Sequence, residues 1–296
     1  MLKSLTKEIY SIGFIETTSD ADFVFKETQG QNIKWVDWNG YKGGWFADPF
    51  ILSADTEKIE VLVEEWVDKQ GKGRISKLTI EANTYKLLNV KPILENETHF
   101  SFPNILRENN VVYVYPENCQ SGGLNIYEYD EDQERLINPH CIVNEPLLDS
   151  QLLKFDGKYY LFAVNQKDGD LRHNILCVYE ADSLLGEYKL LQTYKNERKE
   201  ERGAGAIFTC QGRLIRPVQC CEGDYGVALI FKELVLENGV FKEIERGRMF
   251  PNRHLRYNRK IHTYNRMGEL VVVDGNEFKH RHIAAIYRRF IKQLLH

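Results

Sequence analysis

Five times along the chain a short apolar run is followed by a polar turn and a second apolar run: FADPFILSADTEKIEVLVEE, FPNILRENNVVYVYPE, DSQLLKFDGKYYLFAV, AGAIFTCQGRLIRPVQ and IHTYNRMGELVVVDG. The units open at Phe46, Phe102, Asp149, Ala204 and Ile261, at spacings of 56, 47, 55 and 57 residues. A repeat of this length marks a radial or stacked architecture, and about 50 residues is enough for a four-stranded propeller blade. Asn109-Asn110, Asp156-Gly157, Gln211-Gly212 and Met267-Gly268, with Asp55-Thr56 in the first unit, supply the turns. Asn and Gly tolerate the positive φ that tight hairpins demand. The repeat therefore predicts a five-bladed β-propeller, with blades near residues 46–95, 100–145, 149–195, 202–250 and 259–277.

Composition agrees with an all-β chain. Aromatic residues make up 12%, and runs such as EVLVEEW, NVVYVYPE and GKYYLFAV combine them with β-branched residues. Regular alternation of strands and helices is absent. A propeller ring must be closed, because an open edge strand pairs with other chains, and EIYSIGFIE (8–16) is suited to join the last blade. No Gly-, Pro- or Ser-rich linker divides the 296 residues, which read as a single domain. The one helical periodicity lies at 281–295, where Ile283, Ile286, Tyr287, Phe290, Ile291 and Leu294 form an apolar face and Arg281, Arg288 and Lys292 lie elsewhere. Packing on the propeller is one use for such a helix; lying on an anionic membrane surface is the other.

Hydrophobic residues at 43% exclude a disordered chain. A net charge of −4 gives no general drive toward nucleic acid, so anion binding would need a local basic cluster. The start MLKSLTKEIYSIGF lacks the apolar core of a secretory signal, and no 18-residue apolar stretch occurs, so a cytoplasmic location is expected. The six cysteines show no CxxC pair or metal-ligand spacing and read as buried thiols. The KHRH run at 279–282 reads as solvated charge. Neither a metal nor a cofactor is expected.

In a propeller the first strand of each blade lines the central channel, so the openings of the units converge on one mouth. That brings together Asp48, His99 and Ser101, Asp149, Arg202 and His262, a set compatible with a small-molecule site. Asp48 lies between aromatic residues in WFADPF and suits a base or a partner for sugar hydroxyls; a turn-capping Asp before Pro49 is the structural alternative. Asp149 opens its unit in the same way. Two facing carboxylates could perform acid/base work at a glycosidic bond. Glu64 and Glu117 end second strands, either at the mouth or capping a neighbour. Arg202, Arg213 and Arg216 suit bidentate phosphate or carboxylate recognition, with ion pairing as the ordinary role of Arg213. The tryptophans, Trp35, Trp38, Trp45 and Trp66, are either core or sugar-stacking platforms, and Trp45 adjoins Asp48.

FADPF, VLVEE, HFSFP, YPE, LLDSQLL followed by DGKYYLF, LLGEY, RGAGAIF, RLIRPVQ, YG and HTYN occur in this order. Over about residues 9–275 this chain resembles the N-terminal propeller of the plant glucosamine inositolphosphorylceramide transferases and their bacterial stand-alone relatives. That group is similar to the five-bladed propellers of glycoside hydrolase families 43 and 32. The resemblance implies a carbohydrate-active site at the channel mouth, with Gln219 of RLIRPVQ and Tyr225 of YG among its substrate contacts. In the hydrolases a blade-one Asp is the base, a blade-three Asp orients and tunes, and a blade-four Glu is the acid. Asp48 and Asp149 match the first two. The third position reads Arg202-Gly203-Ala204-Gly205, without a carboxylate.

The expectation is therefore an enzyme of surface-polysaccharide or glycoconjugate assembly that transfers a glycosyl group from a phosphate-activated donor such as a nucleotide sugar. Asp48, Asp149 and Glu117 would be catalytic; Trp45, Glu64, His99, Ser101, Arg202, Arg216, Gln219, Tyr225 and His262 would bind substrate. Arg202, Arg216 and His262 would hold the phosphate. A glycoside hydrolase with Glu117 as a rearranged acid, and a non-catalytic glycan-binding propeller serving a partner enzyme, are the alternatives. The partners expected are a sugar or glycan and, through the C-terminal helix, the inner face of a membrane.

Overall fold

A computed structural model describes residues 7–17, 24–30, 32–165, 175–194 and 202–280. The expected helix at 281–295 lies outside the described residues. Within them the strands form five sheets, each antiparallel between successive strands and ordered outward from the axis, so the chain is a five-bladed β-propeller. Blade one runs Gly44–Ala54, Lys58–Val67, Lys72–Glu81 and Leu87–Leu94. Blade two runs Ser101–Glu108, Val111–Glu117, Leu124–Asp130 and Arg135–Val143. Blade three runs Leu147–Phe155, Lys158–Asn165, Ile175–Ala181 and Lys189–Tyr194. Blade four has Phe208–Cys210, Arg213–Cys220, Ala228–Glu237 and Val240–Phe250, and blade five has Tyr264–Met267 and Leu270–Phe278.

Blade five is completed from the other end of the chain. Glu8–Glu16 pairs antiparallel with Leu270–Phe278 from Glu8↔Phe278 to Glu16↔Leu270, and Lys34–Trp35 pairs outside it. The N-terminal strand thus closes the ring, as third strand of the blade. Glu27–Gln29 adds a fifth, parallel strand to blade four.

The continuous apolar runs are explained by burial on both faces. In Lys58–Val67, Ile59, Val61 and Val63 pack toward blade five, with Phe14 and Val272, while Leu62 packs toward blade two, with Phe100 and Val114. In Lys158–Asn165, Tyr159 and Leu161 join blade two residues, and Tyr160 and Phe162 join Leu234 and Phe241 of blade four. The period of two survives, but both phases are apolar. Each fully buried side chain of this size contributes about 2–3 kcal/mol of transfer free energy.

Turns follow the same local logic. Asn109 and Asn110 (φ 50° and 63°), Asp156 and Gly157 (49° and 77°) and Gln211 and Gly212 (49° and 74°) each close a two-residue loop with both residues left-handed, the type I′ geometry that matches strand twist. Blade five shifts by one residue: Met267 pairs with Leu270, and Gly268 (φ 59°) opens the turn. Asp55 instead caps a longer loop, its carboxylate accepting the Glu57 and Lys58 amides at 2.7 and 2.8 Å.

Candidate active site

Three inner strands share one device. Register breaks between Ala47 and Phe50, Ser101 and Asn104, and Leu148 and Gln151 mark a bulge in blades one, two and three. At each bulge a non-glycine residue is left-handed: Asp48 at φ 49°, Phe102 at 46° and Asp149 at 44°. Bulges re-aim side chains, and left-handed non-glycine residues cost about 1–3 kcal/mol unless their surroundings hold them. Here neighbouring blades do so. The amide of Asp48 donates to Asp274 of blade five at 3.1 Å, that of Phe102 to Asp48 at 3.2 Å, and that of Asp149 to Glu117 of blade two at 3.0 Å.

These clasps gather the charged groups around the axis. Asp48 also accepts the Thr263 hydroxyl at 2.8 Å and lies 3.9 Å from Nδ1 of His262. His262 Nδ1 contacts Asp274 at 2.6 Å, whose other oxygen accepts the amides of His262 and Thr263 at 3.0 Å each. Across the mouth Arg202 pairs with Asp149 through Nε and lies 3.6 Å from Glu117; Gln219 donates to Asp149 at 3.1 Å. Nε2 of His99 lies 3.6 Å from Glu64, while its Nδ1 accepts the Gly73 amide at 2.8 Å, so the ring proton resides on Nε2.

Burial sorts the acids. It pushes the Asp48 carboxyl up to about 6, with help from the charges of Asp274 and Asp149 and against the pull of His262. Burial likewise lifts Glu64 well above the usual carboxylate range, reinforced by Asp48, and lifts Glu117, reinforced by Asp149. For His262 burial alone would lower the value, yet the Asp274 charge and hydrogen bond raise it; in return His262 holds Asp274 low. Burial holds His99 low, as a neutral imidazole. The cluster thus contains two glutamates whose proton affinity burial raises, an Asp48 carboxyl lifted to about 6, a His262–Asp274 pair and an Arg202–Asp149 pair.

An aromatic wall borders the charged floor. Trp45 stacks on Trp66 with centroids 5.4 Å apart and planes 2° from parallel, and touches Tyr10 at 5.1 Å. Tyr10 stacks on His262 at 5.0 Å, Tyr225 meets its edge at 5.5 Å, and Arg202 lies over the Tyr225 ring at 5.0 Å. Gly226 has φ +64°, and a Cβ there would sit 2.8 Å from the His262 Cβ. Only glycine lets this turn lie against the imidazole.

Asp48, Glu64, His99, Glu117, Asp149, Arg202, Gln219, Tyr225, His262 and Trp45 are accordingly linked in one contact network, and Ser101 is buried opposite Glu117 in the blade-two register. Arg216 is the exception and corrects the expected phosphate clamp. Its side chain is 0% exposed, 2.7 Å from Glu243 and 2.7 Å from Gln151, and lies 5.7 Å from the Phe162 ring between blades three and four. An arginine closed off from solvent is structural. The small residues after Arg202 also serve the backbone: a Cβ on Gly205 would fall 2.0 Å from the Tyr264 carbonyl oxygen.

Asp274, Thr263 and Tyr10 escaped the sequence reading, while Trp66, one of the tryptophans offered there as core or platform, stacks on Trp45. Asp274 had a signal, being a carboxylate on a buried second strand, as Glu64 and Glu117 are. The donor atoms of Asp48, His262 and Asp274 lie within 4.8 Å of one another. Within this trio the Nδ1 of His262 hydrogen-bonds Asp274 at 2.6 Å and lies 3.9 Å from Asp48.

Comparison with known proteins places this geometry. The chain is 26% identical over 212 residues to glucosamine inositolphosphorylceramide transferase 1 of Oryza sativa subsp. japonica, which covers 69% of this chain and 28% of the rice protein. The Arabidopsis thaliana protein of the same name is 26% identical over 214 residues, 70% of this chain and 28% of its own length. This chain therefore spans little more than a quarter of those relatives. Among solved structures, a family-43 β-1,3-galactosidase in complex with galactodeoxynojirimycin superposes with a TM-score of 0.54 at 14% identity, covering 80% of this chain and 90% of that one. An exo-β-1,3-galactanase from Phanerochaete chrysosporium gives 0.54 at 12%, covering 79% and 60%. At such identities the likeness is one of fold. A family model described as glucosamine inositolphosphorylceramide transferase 1, N-terminal, matches residues 33–272, and the chain belongs to that family.

Proposed function

We propose that the channel mouth is a carbohydrate-active site that transfers a glycosyl group from a phosphate-activated sugar to an acceptor hydroxyl. The observation that carries this reading is Asp48: a buried carboxyl near pKa 6, fixed by Thr263 and the Phe102 amide, in a mouth whose fourth blade presents Arg202 where an acid would stand. Asp48 takes the acceptor proton as the new C–O bond forms, and the C–O bond to phosphate breaks with its electron pair leaving on the phosphate. A phosphate leaves without a strong acid, and Arg202 and the His262 imidazolium are the cations at the mouth that meet its charge. The names of the plant relatives support transfer. Trp45 and Trp66 offer the apolar face on which a sugar ring stacks.

A second reading has its own support. Burial lifts Glu64 and Glu117 well above the usual carboxylate range, the direction a general acid needs, which supports hydrolysis with Glu117 as acid and Asp48 as base. Purified protein incubated with a panel of nucleotide sugars, and separately with aryl glycosides, decides between them. Donor consumption lost in Asp48→Asn and Arg202→Ala supports transfer; donor-independent sugar release lost in Glu117→Gln supports hydrolysis. Oligosaccharide binding without turnover in either arm leaves a glycan-binding propeller. The proposed setting is cytoplasmic, at the inner face of a membrane. Among the described residues no helix is long and apolar enough to span one, so the contact would be peripheral, and liposome sedimentation after deletion of 281–296 tests it.

A further inference from the structure

In every blade the inner strand begins, the second ends, the third begins and the fourth ends at one face of the propeller, the face that carries Asp48, Glu117 and His262. Val227, just before the third strand of blade four, and Phe250, the last residue of its fourth strand, belong to this same face. A cavity of about 740 Å³ opens there between blade four and the connection to blade five. It exists because Glu27–Gln29 adds alongside the end of Val240–Phe250, with the Gly30 amide donating to the Phe250 carbonyl at 2.8 Å, while residues 251–260 arch across to blade five.

Its walls are chemically mixed. Val227, Phe250 and Pro251 form an apolar strip; Gln29 and Asn258 supply polar groups. The Thr28 hydroxyl itself has no accessible surface and does not face the opening. Glu27 and Arg253 contribute one acid and one base, neither in an ion pair among the described residues, whereas the Arg259 guanidinium is already held by Glu8 and stacked on Phe278. The free charges cancel. A phosphate or nucleic acid would meet Glu27 without a surplus of cations, and a lipid chain would strand the polar groups. Hydroxyl-rich rings with apolar CH faces satisfy both halves of the lining, and the volume is that of a typical ligand site.

The groove adjoins the mouth through a single turn. Tyr225 on this turn meets His262, and Val227, two residues on and within about 7 Å of chain, lines the groove. We infer that the groove is a second sugar subsite, holding the distal units of an oligosaccharide whose terminal unit lies at the channel mouth. This inference rests on the carbohydrate reading of the mouth and adds that the acceptor is an oligosaccharide rather than a single sugar.

The test uses the full chain and a ladder of oligosaccharides released by mild acid from the surface polysaccharide of the encoding cell, separated by length, with calorimetry and hydrogen exchange as readouts. Longer members should bind more tightly than monosaccharide and protect amides at 27–30 and 250–258. Gln29→Ala combined with Arg253→Ala, both exposed side chains, should weaken the longer members about tenfold while leaving monosaccharide binding unchanged. Affinity independent of length, protection confined to the mouth, no binding at any length, or an unaffected double variant would overturn the subsite. Turnover that survives Asp48→Asn while the double variant loses oligosaccharide binding would remove the transfer mechanism and leave the subsite standing.

Discussion

Asp48 and Asp149 occupy the same backbone device on two blades, yet their surroundings give them opposite chemistry. Both are left-handed bulge residues, at φ 49° and 44°, and both donate their amide to a carboxylate of the preceding blade. Asp149 faces Arg202, its ion-pair partner, and Gln219, which donates to it. Asp48 faces a hydroxyl and an amide, while the one nearby cation, His262, is committed to Asp274. A repeated backbone therefore delivers a carboxylate twice, and the partners supplied by the neighbouring blades decide whether it is tied into an ion pair or left among neutral donors.

The sharpest way to break this contrast is to remove the cation from one side. Arg202→Met leaves Asp149 buried beside Glu117 with no positive partner, and stranding one member of a largely buried pair should cost about 3 kcal/mol. Urea denaturation at neutral pH checks it; a loss below about 1 kcal/mol would mean that Asp149 is not held as an ion-paired charge.

The other side is sharpened by pH. The folded chain binds the Asp48 proton near pH 6, against an ordinary value of 3.8, so stability gained from Asp48 is present at low pH and is lost as pH rises from about 4 to 6. Two units amount to about 3 kcal/mol as an upper bound. His262 acts in the same direction at higher pH, its raised value giving stability that disappears as pH climbs through it. Asp274, held low, acts oppositely, and its contribution is lost only as pH falls below the ordinary range. Glu64 and Glu117, also lifted by burial, act in the same direction from the ordinary carboxylate range upward, so Asp48→Asn should reduce but not abolish the loss of stability between pH 4 and 6; an unchanged slope there would assign it to those glutamates. Turnover, in parallel, should rise through pH 6 as Asp48 ionises.

How much of this was legible in the sequence follows from range. Five blades were readable because apolar runs and turn pairs such as Asp156-Gly157 are local, and the N-terminal strand could be assigned because a ring must close. Convergence of Asp48, Asp149, Arg202 and His262 followed from the repeat. Arg216 misled because composition cannot distinguish a guanidinium at the mouth from one buried against Glu243 between blades. The parallel strand Glu27–Gln29 left no trace, being three residues without alternation and held by tertiary packing. Asp274 was overlooked because VVVDG reads as a strand ending at a turn; only alignment of its blade with those of Glu64 and Glu117 gives its carboxylate a place.

The smallest effect tests the proton-moving side most directly. Thr263 donates its hydroxyl to Asp48 at 2.8 Å and has no exposed surface, so Thr263→Val changes little in volume and removes one hydrogen bond to the charged form. That bond lowers the Asp48 value, opposing burial, so its loss should push the carboxyl above 6 and shift the acidic limb of the activity profile to higher pH. At neutral pH the variant should lose about 1 kcal/mol of stability, and less at pH 4, where Asp48 is protonated and the lost donor matters less. An equal loss at both pH values, with the limb unmoved, would make Thr263 a packing residue. A moved limb would instead show that blade five sets the proton affinity of blade one, whereas on Asp149 the neutral donor, Gln219, acts beside the full charge of Arg202.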